Sequence, residues 1–244
     1  MGLIAILFVA FFIWWLVSTL KLVTPYVLPP LFDVIAEMGR EAYLVQLNTT
    51  LTEVFIGFAI GVSVGISIGT LAAYSERARR AVTPVALIFA SVMKSLLAPL
   101  FVLWVGYGIG PMVVVAALIC FFPVLISTLD GLSLVEYNFL EMMNSIQASR
   151  WHVFKKLRFP NALPRIFDGL KISAALAVVG AVVAEFIIGM SGVGTMLQMG
   201  THYANNRIVY ASVLWMAIMG IALYCVVLIA QRLMLPAPLR RKEI

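Results

Sequence analysis

Six runs of largely apolar residues, each about as long as a bilayer is thick, constrain this chain more than anything else in its sequence. They cover 3–20, 51–74, 82–105, 111–129, 172–190 and 208–233. A hydrocarbon core of roughly 30 Å takes about 20 residues of helix. In lipid every backbone amide must find its partner inside the segment, so such runs predict spanning helices; the alternating pattern of a membrane barrel is absent. Composition agrees, with 63% hydrophobic and 11% charged residues where soluble domains carry about 25% charged, and a mean hydropathy of +1.05. The predicted fold class is an all-α integral membrane protein, one transmembrane domain over 1–244.

The first run lacks a basic stretch before Leu3 and a small-residue cleavage site before Lys21, so it reads as a retained span and not a signal peptide. Ile6 stands where myristoylation requires Ser or Thr. Cys120 and Cys225 fall inside predicted spans and read as buried apolar residues. Orientation follows from the basic loops. With a cytoplasmic N-terminus, Arg77, Arg79, Arg80, Arg150, Lys155, Lys156, Arg158, Arg165, Lys171, Arg232, Arg240, Arg241 and Lys242 lie inside, and only Lys21, Arg40 and Arg207 lie outside. The net charge of +6 is then a topological signal and a surface for anionic headgroups, with nothing further to suggest nucleic acid. No internal repeat is visible, which removes the usual pointer to a secondary transporter. The outside stretch 32–47, after Pro25, Pro29 and Pro30, predicts an amphipathic helix along the outer membrane face.

The largest polar insert, 136–171, is strongly basic. Leu140, Met143 and Ile146 recur at helical spacing, and Trp151, Phe154 and Leu157 do the same beside Lys155 and Lys156. Two short amphipathic helices are predicted, the second stopped by Pro160 and Pro164, with Gly169 allowing close-packed re-entry into the membrane. Physically the insert fits a helical hairpin lying on headgroups and a docking surface for a soluble partner equally well.

The same residues carry a resemblance. Glu141, with Leu157, Phe159 and Pro160 after it, resembles the cytoplasmic loop signature of ABC-importer permeases, and Ala148-Ser149-Arg150-Trp151, Phe154, Asn161-Ala162-Leu163-Pro164 and Gly169-Leu170-Lys171 are similar to the flanks of that signature. Further likeness lies in Ala98-Pro99-Leu100-Phe101-Val102-Leu103-Trp104, Gly106-Tyr107-Gly108, Phe121-Phe122-Pro123, Val183-Ala184-Glu185-Phe186 and Gly192-Val193-Gly194. It covers roughly 51–235 and most resembles the nitrate, sulfonate and taurine subgroup. Met142-Met143 and Gln147 depart from the signature, which has Ala-Ala and Gly there, and Met93 stands where the family often has Pro. A left-handed φ at Gln147 would cost about 1 to 2 kcal/mol, so either a strained or a reshaped turn is expected.

The resemblance implies a type I ABC-importer permease in a bacterial-type inner membrane, with both termini cytoplasmic. It implies a second permease copy or paralogue, a cytoplasmic ATPase dimer gripping the coupling loop 131–171, and an extracytoplasmic binding protein. On that reading Glu141, Gln147, Ala148, Ser149, Trp151, Phe154 and Pro160 couple to the ATPase, and Gly192 and Gly194 belong to an outer gate. The cargo is expected to be a small polar or anionic solute, nitrate-, sulfonate- or taurine-like, with a heterocyclic vitamin precursor of pyrimidine or riboflavin type as the alternative. An ATPase-independent channel or secondary transporter is the reading from a different class. The chain has no Walker-type phosphate loop, so ATP is expected on the partner and no cofactor or metal on this chain. His152 and His202 fall on opposite faces of the membrane, and no catalytic set emerges.

Ionisable residues in spans are costly, roughly 2.5 to 3.5 kcal/mol each at a helix centre. Lys94 and Glu185 lie well inside spans; they line a substrate pathway or pair with one another, the pair being favoured because an unpaired charge is the costlier outcome. Glu53 and Asp130 lie near span ends and are expected to reach water.

Overall fold

The long apolar runs do become helices in the computed structural model, which describes residues 2–20, 23–134, 141–143, 145 and 147–235. Among the described residues there is no strand. In chain order the helices are α1 Gly2–Thr19, α2 Leu31–Met38, α3 Glu41–Ala73, α4 Glu76–Ser91, α5 Ala98–Val105, α6 Gly110–Ser133, α7 Arg150–Val153, α8 Phe159–Ile188, α9 Val193–His202 and α10 Asn206–Met234. Leu140, Asn144 and Ile146 of the expected first loop helix lie outside the described residues. Among the described residues four helices are long and apolar enough to cross a membrane: α3, α6, the continuous stretch Trp151–Ile188 and α10; α4 with the segment after it makes a fifth, bent by 76°. α1 adds eighteen residues without a charge.

The centre of the fold is α6, which packs most extensively against α3 and α8. α3 reaches it through Gly57, Gly61, Gly65 and Gly69, which recur every fourth residue and so lie on one face. Each faces α6 so closely that a Cβ would meet it: at Gly61 the nearest atom is the Ala117 carbonyl oxygen at 2.5 Å, at Gly57 the Ala116 Cβ at 2.6 Å, at Gly69 the Thr128 Cβ at 2.8 Å. Small residues of this kind let membrane helices approach until backbone touches backbone, which is the main source of attraction where lipid removes the hydrophobic drive. α8 is tied to α6 by a reciprocal pair: Ser173 Oγ donates to the Cys120 carbonyl at 2.9 Å and Cys120 Sγ donates to the Ser173 carbonyl at 3.3 Å. Gly169 lies against Ser127 of α6, the close re-entry expected of it. Large apolar side chains such as Ile60, Val64, Leu71, Ile221 and Ile229 face outward, as lipid-bathed helices require.

Several expectations are corrected. The stretch 32–47 is not one surface helix. It breaks at Gly39 and Arg40, and Glu41 begins α3, ten residues ahead of the expected span. α2 and its link are held by hydrogen bonds: Trp14 Nε1 donates to the Pro29 carbonyl at 3.1 Å, Tyr43 Oη to the Ile208 carbonyl at 2.9 Å and Trp215 Nε1 to the Met38 carbonyl at 3.3 Å. Arg207 pairs with Asp33 at 2.9 Å. The straight span 82–105 is instead broken: α4 ends at Ser91, a 3₁₀ turn runs over Lys94–Leu97, and α5 follows. Pro160 and Pro164 do not stop a helix either. A π turn over Phe154–Arg158 leads directly into α8, and the helix runs on through Pro160 and Pro164. Cys120 is buried as expected, but Cys225 is exposed on α10.

Candidate functional site

At the end of the bundle where α3 begins and α8 finishes, one carboxylate organises three elements. Glu185, in the last turn of α8, is wholly buried. Its Oε1 accepts from Thr50 Oγ1 of α3 at 2.6 Å, and its Oε2 accepts from the Gly194 N–H at 2.7 Å. Thr50 Oγ1 in turn accepts from the Val193 N–H at 2.9 Å, and Gln46 Oε1 accepts from the Gly192 N–H at 2.5 Å. The amides at the start of α9 are therefore satisfied by side chains of α3 and α8, where a free helix start would leave them orphaned. A negative group at a helix N-terminus also meets the positive end of the backbone dipole. Gly192 is required there: its φ is 98°, and a Cβ would overlap the Glu185 carboxylate. Gly194 leaves no room either, since a Cβ would strike the Val182 carbonyl and the Glu185 side chain.

Glu53 completes this cluster. It was expected to reach water, as Asp130 does, but α3 starts early enough to place it at zero exposure beside Glu185. Gln46, Thr50 and Glu53 share a face of α3 with the glycine ridge, so one stripe of α3 is polar at the α9 end and bare along the rest of its length.

Lys94 does not pair with Glu185. The helix break places it in the 3₁₀ turn, where Nζ donates to the Ala90 carbonyl at 2.7 Å and lies 4.9 Å above the Phe122 ring. Ala90 is in the last turn of α4, so the ammonium satisfies a carbonyl that the break would orphan and neutralises the negative end of the helix. The favoured ion pair is thus replaced by a dipole and a ring face. At and after the end of α5, Leu103, Trp104 and Tyr107 are among the most exposed apolar side chains of the fold.

At the opposite end, Glu141 is exposed, and the Ala148 N–H donates to the Met143 carbonyl at 3.0 Å. Gln147 stands between them with φ 50°: the strained form of the turn is the one adopted. Ser149 Oγ accepts the His152 N–H at 3.3 Å and caps α7. Phe154 packs on Tyr74 at the end of α3, with ring centroids 5.1 Å apart, and Trp151 stacks on Phe154 at 5.7 Å while remaining 64% exposed. His152 is here and His202 ends α9, at the other end of the bundle. Replacing Gln147 by Gly is expected to stabilise the chain by about 1 kcal/mol through relief of the left-handed φ, read as a rise in thermal midpoint in detergent. No rise would mean that the side chain compensates locally.

The comparisons with known proteins fit this architecture. A family model described as the binding-protein-dependent transport system inner membrane component matches residues 61–239. The chain belongs to that family. Among relatives of this permease family, the formylaminopyrimidine transport permease of Halalkalibacterium halodurans is 29% identical over 91% of this chain and 90% of its own length. The riboflavin transport system permease of Chloroflexus aurantiacus is 32% identical over 76% of this chain and 69% of its own, and the taurine transport system permease of Escherichia coli is 28% identical over 86% and 80%. Among solved structures, an inward-facing methionine ABC transporter, MetNI, contains a chain that superposes with a TM-score of 0.65 at 17% identity, covering 82% of this chain and 97% of that one; the fold is shared. The glycine ridge, the Glu185 cluster and the Lys94 cap are geometric facts of this chain that the family name does not supply. Of these, only the ridge has a plain sequence signal, a four-residue glycine period.

Proposed function

We propose that the chain is the membrane permease subunit of an ATP-driven importer, working with an ATPase pair, a second permease and a binding protein. The family match over 61–239 carries this reading, and the loop end supports it. Trp151 is exposed although it stacks on Phe154, on a segment continuous with a helix that crosses the bundle. An exposed aromatic of this kind is a favourable anchor for a soluble partner. In this reading the loop and both termini are cytoplasmic, α1 is a further span, and Glu141, Gln147, Ala148, Ser149 and Pro160 frame the surface presented to the ATPase. The α9 end faces outward, with Gly192 and Gly194 in the outer gate that Glu185 anchors, and Lys94 lies beside the translocation pathway. The cargo is a small polar solute. Full-length similarity to the formylaminopyrimidine permease favours a substituted pyrimidine, and the taurine relative makes a sulfonate the second candidate.

Co-expression with a candidate ATPase decides the class. The tagged chain is expected to retain the ATPase through purification, and Trp151→Ala is expected to release it while leaving thermal stability unchanged, because the removed side chain is mostly outside the packing. Retention of the ATPase by Trp151→Ala and by Ala148→Arg together would remove the loop from the coupling role. Uptake that proceeds in vesicles without ATP would instead favour a channel.

A further inference from the structure

The cluster around Glu185 leaves one group unaccounted for. Glu53 is fully buried, and no donor among the described residues reaches either of its carboxyl oxygens. The group it faces is another carboxyl, that of Glu185. Glu185 already has a donor on each oxygen, the Thr50 hydroxyl and the Gly194 amide. Two ionised carboxylates facing one another in a fully buried site would repel, and Glu53 would be a buried charge that no described donor reaches. Among the described residues no cation is placed to relieve this. On α8 the basic residues are toward its start, near the opposite end, on α10 Arg207 is paired with Asp33 and Arg232 lies in the last turn, and α9 carries only His202 in its last turn, edge-on to Tyr203. α6 has Asp130 as its only charge, near its far end, and Lys94 is engaged with Ala90 and Phe122.

A single proton resolves every one of these conflicts. Placed on Glu53, it turns an acceptor-only group into a donor and gives it a partner in the Glu185 carboxylate, which has lone pairs to spare. A metal cation in its place would need several ligating side chains, and among the described residues no group of three or more His, Cys, Asp or Glu that could hold one occurs. We propose that Glu53 and Glu185 form a proton-binding site, holding one proton between them, with Glu53 donating to the carboxylate that seats the start of α9. Removing that proton puts two like charges in one enclosed site and loosens α9 from α3 and α8. The site stands without any assignment of cargo; only its consequence, a latch on the outer gate, rests on the reading of that segment given above.

Infrared difference spectroscopy of the full chain in lipid nanodiscs tests it directly. In neutral buffer the parent is expected to show the carbonyl stretch of a protonated carboxylic acid. Glu53→Gln should lose that band while keeping the parent's assembly, because the amide N–H donates where the O–H did. Glu53→Asp should shift the band. A parent spectrum with no protonated-acid band, or a band untouched by both substitutions, overturns the proposal. Should Glu53→Gln fail to assemble, the Asp variant and the parent spectrum still decide it. Uptake measured on the same variants reports on the latch alone: loss of the band with normal uptake keeps the proton site and discards the latch.

Discussion

Gly61→Val is expected to prevent α3 from seating on α6 and to leave little folded protein. The added Cβ alone would lie 2.5 Å from the Ala117 carbonyl oxygen and 2.9 Å from the Cys120 Cβ. The first of these is backbone, so no rotamer change relieves it and the helices must separate. Overpacking a core by a few methylenes typically costs about 1 to 3 kcal/mol, and separation here would also weaken the contacts at Gly57, Gly65 and Gly69. The expected loss is at the upper end or beyond, seen as the disappearance of a monodisperse peak and rapid proteolysis in membranes. Gly220→Val on α10 is the control, because nothing lies within 4 Å of its Cβ position; a change within about 0.5 kcal/mol is expected there. Equal damage by both substitutions would mean that a β-branched side chain in a spanning helix, and not the ridge, decides assembly.

Gly192→Ala is expected to release the start of α9 while the rest of the bundle stays folded. The φ of 98° costs a residue with a Cβ about 1 to 3 kcal/mol, and that Cβ would displace the Glu185 carboxylate from its donors. Losing a satisfied buried hydrogen bond adds about 1 to 3 kcal/mol. Thr195, on the first turn of α9, is 5% exposed. A Thr195→Cys probe, with Cys225 replaced by Ser, is expected to resist an impermeant thiol reagent in the parent background and to react rapidly beside Gly192→Ala. If reactivity is the same in both, the amides of α9 are held by something other than Glu185. Glu185→Gln separates charge from shape, since an amide keeps one acceptor for the Gly194 N–H; an intermediate rate is expected.

These residues show where the sequence was legible and where it was not. The long apolar helices α3, α6, α8 and α10 follow from composition and period, the family followed from the resemblance of the loop and span motifs, and Glu185 stood out only as a charge inside an apolar run. Those are properties a window of twenty residues carries. The break at Lys94 was hidden because a charge inside an apolar run reads as a binding or pairing group. Its partner here is a carbonyl four residues back, and that carbonyl is free only once the helix has broken. Pro160 and Pro164 misled for the opposite reason: their local effect is to end helices, and the π turn ahead of them carries the chain through. Glu53 looked like an end residue because the apolar run starts at Leu51, whereas α3 itself starts at Glu41 and carries it below the surface. The glycine ridge went unread, although its period of four is plain in the sequence. Its meaning depended on knowing that α6 lies opposite.

The unbroken stretch Trp151–Ile188 carries both Trp151 at one end and Glu185 near the other. At 1.5 Å per residue its 38 residues extend about 57 Å, so each degree of tilt about a point part-way along moves either end by a fraction of an ångström. Such a rod is a lever with its fulcrum where Gly169, Ser173 and Gly180 press on α6. A push on the ring of Trp151 would arrive at the carboxylate of Glu185 as a displacement, with no relay of side chains between them. One place along its length where it could give is the wider turn at Phe154–Arg158, and the stiffness of those five residues would limit how much of the stroke is transmitted.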